Sequence, residues 1–251
     1  MVNLKKITTK GRALFLAYDH GLEHGPDELE EFSGKAVDPD FILQIAIKGG
    51  YNGVILQKGI AQKYYPKNKQ KIPLILKLNG KTEMVGGDPV SQQICSVKEA
   101  KELGAKAVGY TLYPGSSKES LMFQEFGKIV REAHKLGLPA IAWVYPRGKK
   151  IKNETAPETI EYAARIGLEL GADIVKIKYS SSRESFSKAV KAAGKTKVML
   201  AGGPKVNEKT FLKVVKDVMA SGAMGVVVGR NVWQNKNPLG ITKKIKRIVF
   251  S

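Results

Sequence analysis

The chain carries a single cysteine, Cys95, and three histidines in 251 residues. One thiol excludes an intramolecular disulfide, and so few thiols and imidazoles are a poor supply for a metal centre. No apolar run approaches the roughly 20 residues that a membrane span needs. The opening stretch MVNLKKITTKGRALFLAYDH has too short an apolar run, and no small-residue cleavage site, to resemble a secretory signal. The chain therefore reads as cytoplasmic, with no membrane partner. Acidic residues are scarce as well: 23 Asp and Glu face 42 Lys and Arg, a formal charge of +19.

A basic nucleic-acid-binding protein is one reading of that charge, because phosphate neutralisation dominates such affinity. Arginine, however, makes up only seven of the 42 basic residues. Base edges are read best by the arginine fork, and no zinc-finger or RNP-type motif occurs. The lysines are spread over nearly every predicted helix. A solvated lysine-rich surface that attracts anionic substrates accounts for them better, and no specific nucleic-acid partner is expected.

Short Val-, Ile- and Leu-rich runs recur along the chain and predict eight strands. They are 14–18, 53–57, 72–78, 105–110, 139–145, 172–179, 197–203 and 223–229. Helical patterns fill the gaps. Gly104, Gly171 and Gly222, and Gly137 likewise, are placed to end helices in the left-handed conformation. Thr155 with Glu158 fits a capping box, followed by a stripe of Ile160, Ala163, Ala164, Gly167 and Leu168. Ser116 with Glu119 predicts a similar start to a helix reaching about His134. QQICSVKEA reads as an amphipathic helix that packs Cys95 into the core. Eight strands alternating with helices in this length match a single (β/α)8 barrel domain over residues 1–251, an α/β fold, with an open doubly wound sheet as runner-up.

In such a barrel the chemistry gathers at the C-terminal ends of the strands. The loops after strands seven and eight, AGGPK and VGRN, are where phosphate is commonly bound. Gly202, Gly203 and Gly229 permit close approach of an oxyanion, and Arg230 can pair with it. Lys176 and Lys178 stand two apart in strand six, so both face the barrel interior. Burial and a second cation each disfavour protonation, which frees an amine as a nucleophile for a phosphorylated ketone or aldehyde. Alternatively, both lysines simply hold phosphate, or one reaches solvent. Tyr145 and Asp19 are the acid–base candidates, unless Tyr145 and Trp143 are aromatic core and Asp19 is a cap. His20 and His24, four apart beside Glu23, raise a metal site for which no third ligand is evident. The polar loop 79–89 is a candidate cover.

AYDHGLEHGP, WVYPRG, GADIVKIKY, AGGPK and GR, in this order between about Leu14 and Trp233, resemble the archaeal-type class I fructose-1,6-bisphosphate aldolases. The resemblance implies Lys176 as the Schiff-base lysine, Tyr145 and Asp19 as proton-transfer groups, and Gly202, Gly203, Gly229 and Arg230 around phosphate. His20, His24, Lys178 and Trp143 complete the expected set of substrate- and phosphate-binding residues. The resemblance also implies no cofactor, no metal, a phosphorylated sugar as substrate and a homo-oligomer built from rings. A branch of the same family makes a heptulosonate by a transaldolase-type reaction. EHGP and WVYPRG favour the bisphosphate aldolase over that branch. A phosphosugar isomerase on the same barrel would bind phosphate without an essential lysine.

Overall fold

The computed structural model describes residues 2–25 and 34–251. Eight parallel strands close into a barrel in sequence order, with β1 paired to both β2 and β8. They are β1 Ala13–Tyr18, β2 Gly53–Gln57, β3 Leu74–Lys77, β4 Ala107–Leu112, β5 Ala140–Val144, β6 Ile174–Ile177, β7 Lys197–Ala201 and β8 Gly225–Val228. The helices that follow them in turn are α1 Pro39–Gly49, α2 Lys58–Tyr64, α3 Val97–Glu102, α4 Glu119–Lys135, α5 Pro157–Glu169, α6 Arg183–Ala192, α7 Glu208–Ala220 and α8 Pro238–Val249. The expected fold is the observed one. Among the described residues, no helix is long and apolar enough to cross a membrane.

Strand alternation divides the core in two. Leu14, Leu16, Val54, Leu56, Val175 and Ile177 point outward and pack under the helices. Phe15, Ile55, Ile75, Ile141, Ile174 and Met199 point inward and fill the barrel. Each such side chain, fully buried, contributes about 1.5–3 kcal/mol. The same alternation, carried one inward position further, places Lys77 after Ile75, Trp143 after Ile141 and Lys176 after Ile174. These three sit on the floor of the barrel mouth. That is the step from pattern to site.

Several boundaries move, each for a local reason. Strands four and six begin at Ala107 and Ile174, not at 105 and 172. The amides of Ala105 and Ala172 still bond back to Ala100 and Gly167 of the preceding helices, at 3.0 Å each. The helix-ending glycines behave as expected: Gly104, Gly137, Gly171 and Gly222 all take positive φ. The two expected capping boxes do not form. Thr155 donates its amide and hydroxyl to Asn153 Oδ1, and Pro157 opens α5 behind Ala156. The Ser116 hydroxyl donates to the Pro89 carbonyl, while Glu119 accepts from the Gly115 amide. A capping box does occur at Ser96 and Glu99, so α3 starts at Val97 and Cys95 lies outside a helix, though buried.

Candidate active site

Lys176 is 6% exposed and Lys77 only 4%, each the last inward residue of a strand whose other inward side chains are apolar. Both approach the Trp143 ring. Lys176 Nζ is 5.1 Å and Lys77 Nζ 5.8 Å from its centroid, both within cation–π range. Asp19, directly after β1, places Oδ2 3.4 Å from Lys77 Nζ. Tyr145, directly after β5, has its ring 5.9 Å from Lys176 Nζ and 5.9 Å from Lys178 Nζ. One cavity is lined by all of these groups and by His20, His24, Gly202, Gly203, Gly229 and Arg230. Every residue expected at the site is therefore brought together.

The electrostatics separate the groups by role. Burial depresses the Lys176 amine to about 8; Asp19 and Glu23 oppose this, and the charge of Lys77 adds to it. Burial alone would raise the Asp19 carboxyl, but Lys77 foremost, with Lys176 and His20, holds it well below the usual carboxylate range. Burial, with Asp19 and Glu23 nearby, pushes the Tyr145 phenol well above its ordinary value. Burial likewise lowers His20 to about 4, against the pull of Asp19. At neutral pH the cavity thus holds a carboxylate, a phenol and an amine that is partly neutral.

With this geometry in hand, comparison with known families is decisive: residues 13–235 match the DeoC/LacD family aldolases. The chain belongs to the DeoC/LacD aldolase family. It is 51% identical over 248 residues to the fructose-bisphosphate aldolase class 1 of Thermoproteus tenax, covering 98% of this chain and 93% of that one. It is 40% identical over 237 residues to the fructose-bisphosphate aldolase/6-deoxy-5-ketofructose 1-phosphate synthase of Methanocaldococcus jannaschii, covering 89% and 76%. A solved archaeal fructose-1,6-bisphosphate aldolase, with its catalytic Lys covalently bound to the carbinolamine intermediate of the substrate, superposes with a TM-score of 0.95. It is 50% identical, over 99% of this chain and 98% of that one.

Within this DeoC/LacD aldolase, the second cation is not the one expected. β6 ends at Ile177, so Lys178 leaves the strand and pairs with Glu154 at the rim, its side chain 29% exposed. The charge acting on Lys176 is that of Lys77. Lys77 was legible in the sequence by the same signal as Lys176, a lysine inside an apolar strand-sized run, here IPLILKL. Glu154 was not legible: it comes from the loop after β5 and also meets Arg147, at 3.4 Å.

The glycines need a similar adjustment. Gly202 lines the cavity, but its amide is spent on the Val227 carbonyl at 2.8 Å. Gly203 takes φ +67°, and Gly229 is the residue against which His20 packs: a Cβ there would come 2.9 Å from His20 Cε1. His24 does acquire a neighbour invisible in the linear sequence. Its Nδ1 is 3.0 Å from Glu83 of the 79–89 loop, and Glu23, His24 and Glu83 offer ligand atoms within 4.8 Å of one another. Glu23 also faces Arg147 at 3.3 Å and accepts from the Tyr113 hydroxyl at 3.2 Å. The 79–89 loop thus borders the site and supplies none of the cavity lining.

Proposed function

We propose that the chain catalyses the reversible aldol cleavage of fructose 1,6-bisphosphate to dihydroxyacetone phosphate and glyceraldehyde 3-phosphate through a Schiff base on Lys176. The observation that carries this reading is a buried amine, depressed to about 8, between a carboxylate and a phenol at the barrel mouth. The neutral amine adds to the substrate ketone, and loss of water from the carbinolamine gives an iminium. As the C3–C4 bond breaks, its electron pair flows into the iminium to give an enamine, while the C4 hydroxyl loses its proton. Protonation of the enamine and hydrolysis release the second product and restore the amine.

Two groups are suited to the proton transfers. Asp19, ionised, is in the accepting form, and Tyr145, a phenol, is in the donating form. Trp143 forms the wall beside the reacting amine. Arg230 and the glycine loops after β7 and β8 suit one phosphate. His20, His24 and Lys178 flank the remainder of the sugar. Assembly into a homo-oligomer built from rings belongs to the same reading and rests on the family resemblance; a cytoplasmic location belongs to it too and rests on the composition of the chain.

The test is reduction with borohydride in the presence of dihydroxyacetone phosphate, followed by peptide mass spectrometry. A three-carbon phosphate adduct on the peptide containing Lys176 is expected. An active enzyme with no adduct on that peptide would overturn the reading.

A further inference from the structure

Lys77 is a buried lysine with no part in the bond-making and bond-breaking steps. Burying an ammonium is costly unless it is paired, and its partner here is Asp19, at 3.4 Å. An apolar residue at this inward position would continue the interior packing of Ile75 and avoid that cost. Its place invites another explanation. β3 and β6 deliver their terminal inward lysines to the same Trp143 ring, at 5.8 and 5.1 Å. Of the two, Lys77 is the one that Asp19 pins.

We propose that Lys77 is a positioning residue that acts through Lys176: its charge, fixed by Asp19 beside Trp143, repels a proton from the neighbouring amine and keeps that amine nucleophilic. This rests on the reading of Lys176 as the imine-forming group. The other groups facing Lys176 do not replace Lys77. Asp19 and Glu23, from the segment after β1, favour its protonated form. His20, from the same segment, is depressed to about 4 and carries no charge at neutral pH. Tyr145, after β5, stays a neutral phenol. Arg230, after β8, lines the cavity, and Lys178, beyond β6, is paired with Glu154. Lys77 is the cation acting on Lys176. A second effect follows from the same ion pair, since Lys77 is also the foremost charge keeping Asp19 ionised. One buried lysine thereby favours the deprotonated form of both, a charged carboxylate base and a neutral amine nucleophile.

The test measures the rate of borohydride trapping by dihydroxyacetone phosphate across a pH series, with the labelled peptide identified by mass spectrometry. Wild-type protein is compared with Lys77→Met, Lys77→Gln and Lys77→Arg. Met keeps the buried stem without charge, Gln keeps a donor for Asp19 without charge, and Arg keeps the charge. In Met and Gln alike, the midpoint of the trapping rate is expected to rise by on the order of one pH unit, lowering the rate at pH 7 about tenfold. In Arg the midpoint is expected to stay near that of wild type. A structural role alone would lower rates or stability without moving the midpoint. Midpoints unmoved in Met or Gln, with the label still on Lys176, would overturn the role of Lys77 and leave the Schiff-base reading standing. Label on Lys77 in wild type would make it the nucleophile and overturn the proposal. An active wild-type protein with no label at Lys176 would instead sink the reading beneath it.

Discussion

The Trp143 ring packs against Gly109 so closely that a Cβ at Gly109 would overlap its ring carbons. Gly109 is an inward position of β4, level with Lys77 in the register between β3 and β4. The absent side chain is what lets the indole take the place where both buried lysines approach it. Gly109→Ala should therefore displace Trp143 and, through it, Lys176. Overpacking of this kind costs about 1–3 kcal/mol. A lowered unfolding temperature together with a fall in turnover of roughly tenfold or more is expected. Full activity at unchanged stability would show that the indole position is not required.

The pH dependence follows from two groups. With Lys176 at about 8, roughly one amine in ten is neutral at pH 7, against fewer than about one in a thousand for an ordinary lysine. As pH rises toward 8 the neutral fraction grows, so kcat/KM should climb close to tenfold per unit below pH 7 and level off above 8. Asp19 is ionised throughout this range and adds no limb. Tyr145, raised well above 10, keeps its proton there and should leave the plateau flat at least to pH 9. A profile measured from pH 5 to 9 that peaks near 6 would contradict the assignment.

Much of this was readable in advance because the barrel imposes strict rules. Alternation along IVKI fixes Lys176 as inward when Val175 and Ile177 face the helices. The ordinals of the strands then say which ends meet at the mouth. What could not be read lay in the loops and in distances between them. Lys178 looked equivalent to Lys176 because the end of β6 at Ile177 is set by hydrogen bonding to its neighbours, which no spacing reveals. Glu154 and Glu83 reach Lys178 and His24 at the border of the site from loops after β5 and β3, where no periodicity constrains position. Thr155 and Ser116 failed as caps because Asn153 and Pro89 offered nearer partners. A local motif states a preference; the tertiary contact decides it.

Metal removal tests the His24 cluster. The iminium serves as the electron sink, so exhaustive EDTA treatment should leave cleavage activity intact. Loss of activity that zinc restores would make Glu23, His24 and Glu83 a working centre instead of a rim ion pair.

Arg230 is the charged side chain that the loop after β8 brings to the cavity. If it pairs with a substrate phosphate, Arg230→Ala should raise KM by roughly tenfold or more, since a charge-assisted bond is worth about 1.5–3 kcal/mol. The Lys176 trapping chemistry should persist at saturating ligand. An unchanged KM for the bisphosphate would move the phosphate site elsewhere in the cavity.

Glu154 holds two cations at the rim, Lys178 and Arg147, and its carboxyl is lowered: burial works against this, and Lys178 and then Arg147 overcome it. Its carboxylate would repel a phosphorylated ligand that approaches those cations. Glu154→Gln should therefore strengthen inhibition by inorganic phosphate several-fold, with the gain shrinking as salt is added because the rim is partly open to solvent. Lys178→Met should do the reverse, raising KM for the bisphosphate. It should leave the pH midpoint of trapping at Lys176 where it was, because Lys178 is not the charge that sets it. The two rim variants and the buried Lys77 variants thus separate binding from activation. A shifted midpoint in Lys178→Met would return the second cation to the place the sequence first suggested. Inhibition by phosphate that ignores Glu154 would mean that these cations do not meet the substrate.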